Sequence, residues 1–342
     1  MKALRTFVRS LVNLARFPLA LLRYRRTGAT DPWAHQALIQ LFCATGGRFN
    51  DFLSAAIRLR SRPLELANPV GVLGDLRGDA MRGRLGELRE RGYATFRAAL
   101  PPDMCERLMK FALETPAQVR RMDHEPLGQA PRMALFDPQR PLAVRYDYPP
   151  EALLDNADVQ ALLSDPSLLA LAQAYLGTRP RADVLSMWWH TAFHAQPDSE
   201  AAQFYHFDLD RIKWLKIFIY LTDVGPQDGP HSFIEGSHRT GGIPPSMLRR
   251  GYVRLSDEEV LGHYGQARQV EFAAPRGTVI VEDTRGLHKG KAVSGHSRLI
   301  LQLQFSNSLF GAIYPKAVLK RVSHPGLAQL MQHSKDVYAQ YL

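Results

Sequence analysis

A series of short apolar segments in the second half of the chain limits the possible folds most strongly. From about residue 182 onward, runs rich in β-branched and aromatic residues alternate with turns rich in Gly, Pro and Asp. The runs are VLSMWWHTAFH, KWLKIFIYLT, GTVIVED and RLILQLQFS. Several short strands at this spacing are typical of an all-β sandwich or barrel. We therefore predict a β-sandwich or barrel for this half.

The first half of the chain contains mainly helical patterns. These patterns predict helices in residues 32–60 and 151–176, a linker rich in Pro and Gly at 61–80, and a short strand at 93–96. A terminal helix is predicted at 324–341. The chain has 342 residues, of which 45% are hydrophobic and 22% charged, so we expect one large packed domain, or one domain plus an extension.

The cysteines and the charge bear on the compartment and the partners. Two cysteines, Cys43 and Cys105, cannot form a disulfide framework, which favours a reducing, cytoplasmic compartment.

The net charge is +10, and residues 1–60 carry +8 of it, from ten basic and two acidic side chains. The rest of the chain is nearly neutral, so we expect no nucleic-acid partner.

Residues 2–26 contain seven basic residues and no acid. On a helical projection four arginines fall on one side and six apolar residues on the other. These are Arg5, Arg9, Arg16 and Arg23, against Leu4, Phe7, Val8, Leu11, Leu14 and Leu22. This basic amphipathic helix, with Pro18 as a predicted kink, has three interpretations. It could lie on the inner surface of an anionic membrane, pack its apolar stripe on the main domain, or be a cleaved targeting segment.

The candidate chemistry lies in the strand-rich half. His206 and Asp208 stand two apart at the entry to an apolar strand, so both side chains can face one ion. His288, just after the run GTVIVED, is the best third ligand, since the rivals His231, His238 and His296 fall in predicted turns or loops. Two histidines and one carboxylate suit non-haem Fe(II) with open coordination positions. Arg298 begins the next strand, where a buried guanidinium could bind a dicarboxylate.

These segments resemble the phytanoyl-CoA dioxygenase family of Fe(II)- and 2-oxoglutarate-dependent oxygenases. The similar segments are RERGYATFRAALPPDMCERL, YHFDLDR, DGPHSFIEGSHRTGG and GLHKGKAVSGHSRLILQLQFS, in family order over residues 85–310. The loop has Glu235 where the family commonly has Pro, which affects a turn and no ligand.

The resemblance implies a double-stranded β-helix (a cupin-type jelly-roll) with mixed α+β, mainly β, content and buttressing N-terminal helices. It implies that His206, Asp208 and His288 ligate iron and that Arg298 binds 2-oxoglutarate. O2 would be the oxidant, and succinate and CO2 would be released. Halogenating relatives have a small residue in place of the carboxylate, so Asp208 favours hydroxylation.

Further residues could complete the site. Lys216, on the strand after the metal pair, could reach a carboxylate of the co-substrate. Trp188 and His190 alternate with Ser186 on one strand face and could line a substrate pocket, and Gln203 and Tyr205 flank the metal pair.

We therefore predict three regions: a basic helical extension and linker at 1–80, an oxygenase domain at 81–312 and a helical tail at 313–342. The predicted activity is hydroxylation of a small-molecule, lipid-linked or sugar-linked substrate. The alternatives are a cupin-like metal-dependent isomerase and a non-catalytic iron-binding protein docked by its basic N-terminus. The sequence does not predict the oligomeric state.

Overall fold

The computed structural model describes residues 2–66, 68–120, 132–193, 202–251 and 253–342. The helices are α1 Lys2–Thr27, α2 Pro32–Thr45, α3 Arg48–Arg58, α4 Gly78–Glu90, α5 Pro102–Glu114, α6 Pro150–Asp155, α7 Ala157–Leu163, α8 Pro166–Leu176, α9 Pro245–Leu248, α10 Asp257–Tyr264 and α11 Pro325–His333, with 3-10 helices at Gln266–Arg268 and Lys335–Tyr341. The strands are β1 Val70–Gly71, β2 Gly74–Asp75, β3 Tyr93–Phe96, β4 Ala117–Val119, β5 Arg132–Ala134, β6 Arg145–Asp147, β7 Arg181–His190, β8 Trp214–Tyr220, β9 His231–Ile234, β10 Gln269–Glu271, β11 Val279–Glu282, β12 His288–Gly290 and β13 Arg298–Ser306.

Two antiparallel sheets form the centre of the molecule. The large sheet has the order β3-β11-β8-β13-β7-β6-β4-β5, and the small sheet has the order β10-β9-β12. A bridge between His206 and His288 adds the segment before β8 to the small sheet. From β7 onward the chain therefore crosses repeatedly between the sheets, with β7, β8, β11 and β13 in the large one. This path is a double-stranded β-helix, which confirms the predicted fold class.

The side chains of strand β13 show what packs on each face of the large sheet. Its alternate residues Leu299, Leu301, Leu303 and Phe305 belong to the main apolar core. Helices α5 to α8 contribute leucines such as Leu108, Leu162 and Leu169 to the same core. The intervening residues of β13, from Arg298 to Gln304, are on the opposite face because side chains alternate along a strand. The helices thus buttress the outer face of the large sheet and leave its inner face to the barrel interior.

The region 61–80 differs from the predicted linker. It contains the β1–β2 hairpin. The Val72 N–H donates to an Asp165 carboxylate oxygen at 2.9 Å, and the Leu73 N–H donates to Ser167 Oγ at 3.0 Å. Asp165 also caps α8, so one carboxylate joins the hairpin to the helix layer. The predicted boundaries of the three regions stay a prediction.

The N-terminal helices pack beside the barrel. Phe17 and Ala20 of α1 are buried with residues of α2, and the Phe17 ring lies 5.4 Å from the Phe310 ring. The Asn50 side chain of α3 donates to the Ile212 carbonyl at 3.1 Å. Helix α1 runs as one helix through Pro18. None of the helices in the described part of the chain is long and apolar enough to cross a membrane.

A buried ion pair fixes the start of β7 to the segment before β8. Arg211 donates from Nε and Nη2 to the two carboxylate oxygens of Asp183, at 2.7 and 2.6 Å. Gln304 and Ser306 of β13 donate to the same carboxylate. Both partners of the pair are 2% exposed. Removing the arginine leaves the carboxylate buried without its counter-charge, which is costly.

We predict that Arg211→Met lowers the free energy of unfolding by about 3–5 kcal/mol, because it leaves the Asp183 charge uncompensated. The control is Arg82→Met, since Arg82 pairs with Asp79 in solvent and its loss costs at most about 1 kcal/mol. Urea unfolding followed by circular dichroism measures both. Equal stability of the two variants would contradict the role assigned to this pair.

Candidate metal centre

Backbone pairing brings the two candidate histidine ligands together. The His206 N–H donates to the His288 carbonyl at 3.0 Å, and the His288 N–H donates to the His206 carbonyl at 2.9 Å. The two residues are therefore direct antiparallel partners in the small sheet. Their imidazole rings lie on the same side, with centroids 4.3 Å apart. Residues 82 positions apart in the chain thus present their side chains to one point.

Asp208 completes the cluster. The ligand atoms of His206, Asp208 and His288 all lie within 4.8 Å of one another, and all three residues are buried. The Asp208 carboxylate is 4.0 Å from His206 Nε2 and 3.4 Å from His288 Nε2. Two imidazoles and one carboxylate at this spacing form a donor set of the facial kind used by non-haem Fe(II).

The hydrogen bonds of the two imidazoles fit metal ligation. His206 Nδ1 is 2.9 Å from the Phe204 carbonyl, and His288 Nδ1 is 2.9 Å from the Gly286 carbonyl. A carbonyl only accepts, so each Nδ1 carries the proton and donates it. The tautomer this fixes leaves a lone pair on each Nε2, and both Nε2 atoms point toward Asp208. Metal-ligating histidines are commonly oriented in this way.

Burial and the neighbouring charges together set the pKa values of the three cluster residues. Burial, helped by His288, holds the pKa of His206 well below its usual range. Burial favours the neutral form of Asp208, but Lys216 and His288 outweigh it and hold the pKa of that carboxyl well below its usual range. Burial likewise opposes the charged form of His288, yet the Asp208 carboxylate raises its pKa. Ligation needs the unprotonated Nε2, so metal binding releases any proton held there.

Lys216 contacts the cluster directly. Its Nζ lies 2.5 Å from an Asp208 oxygen and 3.5 Å from an Asp210 oxygen. The ammonium is thus placed on the candidate ligand carboxylate. Its predicted contact with a co-substrate stays a prediction.

Arg298 lies in the barrel interior with part of its hydrogen-bonding capacity unused. It is 1% exposed, and its Nη2 lies 2.7 Å from Nδ1 of His190, its partner on β7. Among the described residues, its Nε and Nη1 have no hydrogen-bond partner. Burial lowers the pKa of this guanidinium, and the nearby Tyr220 hydroxyl acts in the opposite direction with a smaller effect. Buried donors normally have acceptors, so this group fits an anionic ligand that it can bind with a fork of two hydrogen bonds.

The other predicted pocket residues divide into two groups. Trp188 packs among the aromatic residues of the interior, and the Arg145 guanidinium lies 4.5 Å above its ring. His190 contacts Arg298, as described above. Tyr205 instead belongs to an apolar cluster with Phe207 and Leu255, on the face of its segment away from His206. Gln203 is buried. The structure therefore groups Trp188 and His190 with Arg298, and it does not place Tyr205 there.

A second polar pair lies beside the cluster and is absent from the sequence prediction. His231, expected in a turn-rich loop, begins β9 and is buried. Its Nε2 lies 3.0 Å from a Glu282 oxygen, and its ring centroid is 5.6 Å from that of His288. Burial raises the pKa of Glu282 to about 8. The signal that could have revealed this pair is the charged residue Glu282 within the apolar run TVIVE.

More than half of the chain matches the sequence model of a known protein family. The sequence model of the phytanoyl-CoA dioxygenase (PhyH) family matches residues 88–300. No curated protein matches the chain.

Several solved structures are similar. One is the non-haem α-ketoglutarate-dependent epimerase SnoN from nogalamycin biosynthesis, with 18% sequence identity and a TM-score of 0.49, over 66% of this chain and 83% of SnoN. Another is HygX from Streptomyces hygroscopicus with nickel and 2-oxoglutarate bound, with 16% identity and a TM-score of 0.47, over 71% of this chain and 94% of HygX. A third is AviO1 from Streptomyces viridochromogenes, with 18% identity and a TM-score of 0.43, over 69% of this chain and 98% of AviO1.

We predict that Mn(II), an air-stable substitute for Fe(II), stabilises the wild-type chain and not the His206→Ala or His288→Ala variants. A ligand at 100 times its Kd stabilises the folded state by about 2.7 kcal/mol, which shifts the unfolding midpoint by several degrees. Thermal unfolding with and without Mn(II) measures the shift. His263→Ala, which removes an exposed histidine outside the cluster, is the control and should keep the wild-type shift. An equal shift in all four proteins would contradict this metal centre.

Proposed function

The chain belongs to the phytanoyl-CoA dioxygenase (PhyH) family, and we propose that it is an Fe(II)- and 2-oxoglutarate-dependent oxygenase. Enzymes of this family use both cofactors. We further propose that it hydroxylates a small-molecule, lipid-linked or sugar-linked substrate and releases succinate and CO2. The observation that carries the proposal is the buried cluster of His206, Asp208 and His288, with both Nε2 atoms directed toward the carboxylate.

These three residues would hold the iron. When bound, Fe(II), 2-oxoglutarate and O2 supply the oxidation chemistry, and the protein supplies orientation and a dry environment. The Phe204 and Gly286 carbonyls keep the imidazoles in the ligating tautomer. Lys216 keeps Asp208 ionised, so a carboxylate ligand is available. An Asp at this position also supports hydroxylation, because halogenating relatives have a small residue there.

Arg298 would bind the carboxylate of 2-oxoglutarate that lies farther from the metal. Its Nε and Nη1 are buried without acceptors among the described residues, and a carboxylate supplies two acceptors in the matching planar geometry. His190 accepts from Nη2 and so positions the guanidinium. A dicarboxylic acid would satisfy both the metal and this arginine, whereas a monocarboxylic acid on the metal would leave Nε and Nη1 of Arg298 without acceptors.

The barrel interior would exclude water from the reaction. Trp188, Phe218, Phe233 and Ile300 form one apolar cluster between the two sheets. Apolar walls strengthen the electrostatic interactions of the buried charged groups and protect a reactive site from solvent.

We predict that Arg298→Gln raises the Kd for 2-oxoglutarate at least about 30-fold and leaves the Mn(II)-dependent stabilisation unchanged. Loss of one partner of a buried charged pair costs about 2–5 kcal/mol, which corresponds to this range. Arg298→Lys keeps the charge without the planar fork of donors, so its Kd for 2-oxoglutarate should lie between those of the wild type and Arg298→Gln. Calorimetric titration of 2-oxoglutarate into the Mn(II)-loaded protein under anaerobic conditions measures the Kd.

The control is Arg276→Gln, which removes a partly exposed arginine that pairs with Glu106. Unchanged 2-oxoglutarate binding in Arg298→Gln would contradict the assignment. If the metal-loaded wild type did not bind 2-oxoglutarate, a cupin-like isomerase or a non-catalytic iron-binding protein would be favoured.

A further inference from the structure

Helix α1 presents two apolar faces, and only one of them is covered. The covered face contains Phe17 and Ala20, both 2% exposed, which pack on α2 and Phe310. Asn13 on the same side donates to Gln40 of α2 at 2.7 Å. The Tyr24 ring closes this contact with its centroid 5.4 Å from that of Phe310. The inner face of α1 is thus fixed to the folded domain.

The outer face of α1 is apolar and lies in solvent. The side chains that form it are between 45% and 55% exposed: Val8, Leu11, Val12, Leu14, Leu19 and Leu22. At about 100° per residue, Leu11 and Leu22 lie nearly opposite Phe17 and Ala20. An exposed apolar patch of this kind on a soluble domain marks a docking surface.

Arginines border this outer face. Arg9, Arg16 and Arg23 recur every seven residues and form a row along one edge, and Arg25 and Arg26 follow at the C-terminal end. The first acidic residue of the chain is Asp31, which pairs with Arg23 at 3.1 Å. The Arg16 guanidinium lies over the Trp33 ring at 4.8 Å. The surface therefore combines an apolar stripe with positive charge that one acid only partly offsets.

We propose that the outer face of α1 docks on an anionic lipid bilayer while its inner face stays packed on the domain. An amphipathic helix with this pattern lies in the membrane interface, with its apolar side chains below the head groups and its arginines among the lipid phosphates. Each arginine near an anionic surface adds to the affinity, and this contribution is screened by salt.

A second copy of the chain fits this face less well. Two such faces packed antiparallel about a two-fold axis would bring their arginine rows to the same edge, and like charges across an interface are unfavourable. A bilayer offers the opposite charge and an apolar layer at once. The two interpretations of the N-terminal helix as a packed element and as a membrane contact are therefore compatible. The proposal is independent of the proposed enzymatic activity.

Co-sedimentation of the full chain with unilamellar vesicles tests this proposal. One set of vesicles contains equal parts of phosphatidylglycerol and phosphatidylethanolamine, and the other contains phosphatidylcholine alone. The wild type should bind the anionic vesicles, and binding should weaken as salt increases. The double variant V8S/L11S should bind at least about tenfold less, because two buried apolar side chains are lost. The affinity of the triple variant R9Q/R25Q/R26Q for the anionic vesicles should fall roughly fivefold for each charge removed.

The matched control is V70S/L113S, which also replaces one exposed valine and one exposed leucine, at 40% and 38% exposure, away from α1. It should bind as the wild type does, and circular dichroism should show that all variants are folded. Equal binding of V8S/L11S and wild type would overturn the proposal, as would equal binding to the two kinds of vesicle. A concentration-dependent dimer that V8S/L11S abolishes, without vesicle binding, would overturn it in favour of a second copy.

Discussion

The reciprocal backbone hydrogen bonds between His206 and His288 are the constraint on which the site depends. They join the segment before β8 to β12 and so close the small sheet over the large one. Because residues paired in an antiparallel ladder present their side chains on the same face, the pairing also directs both imidazoles to one point. Asp208, two residues after His206, shares that face. The fold and the positions of the three candidate ligands thus depend on the same register.

Around this point the barrel interior holds several charged groups that water would normally solvate. Asp208 is neutralised by Lys216, and Asp183 by Arg211. Arg298 is different, since two of its nitrogens lack acceptors among the described residues. The Asp183–Arg211 pair stabilises the structure, whereas the incompletely paired guanidinium of Arg298 is the group to which we assign an anionic ligand in the proposed function.

The sequence was sufficient for the fold class and for bringing His206, Asp208 and His288 together as candidates. Strand periodicity and the order of four motifs carry that information locally. Tyr205 was predicted as a pocket residue that flanks the metal pair, but the alternation that turns His206 inward turns Tyr205 outward. The register of this short segment comes from pairing with distant residues such as His288 and Leu255, which the sequence does not reveal. It also missed the His231–Glu282 pair, since His231 follows a turn-rich stretch and its strand forms only through pairing with β10 and β12. Likewise, α1 has apolar residues on two faces beside its arginine row, so its pattern alone left packing and membrane contact as alternatives.

Anaerobic titration followed by visible absorbance would show whether this cluster binds Fe(II) together with 2-oxoglutarate. We expect a metal-to-ligand charge-transfer band when both Fe(II) and 2-oxoglutarate are present, and no such band in His288→Ala. A folded, iron-loaded wild-type protein that develops no band at saturating 2-oxoglutarate would show that the cluster does not bind the two together.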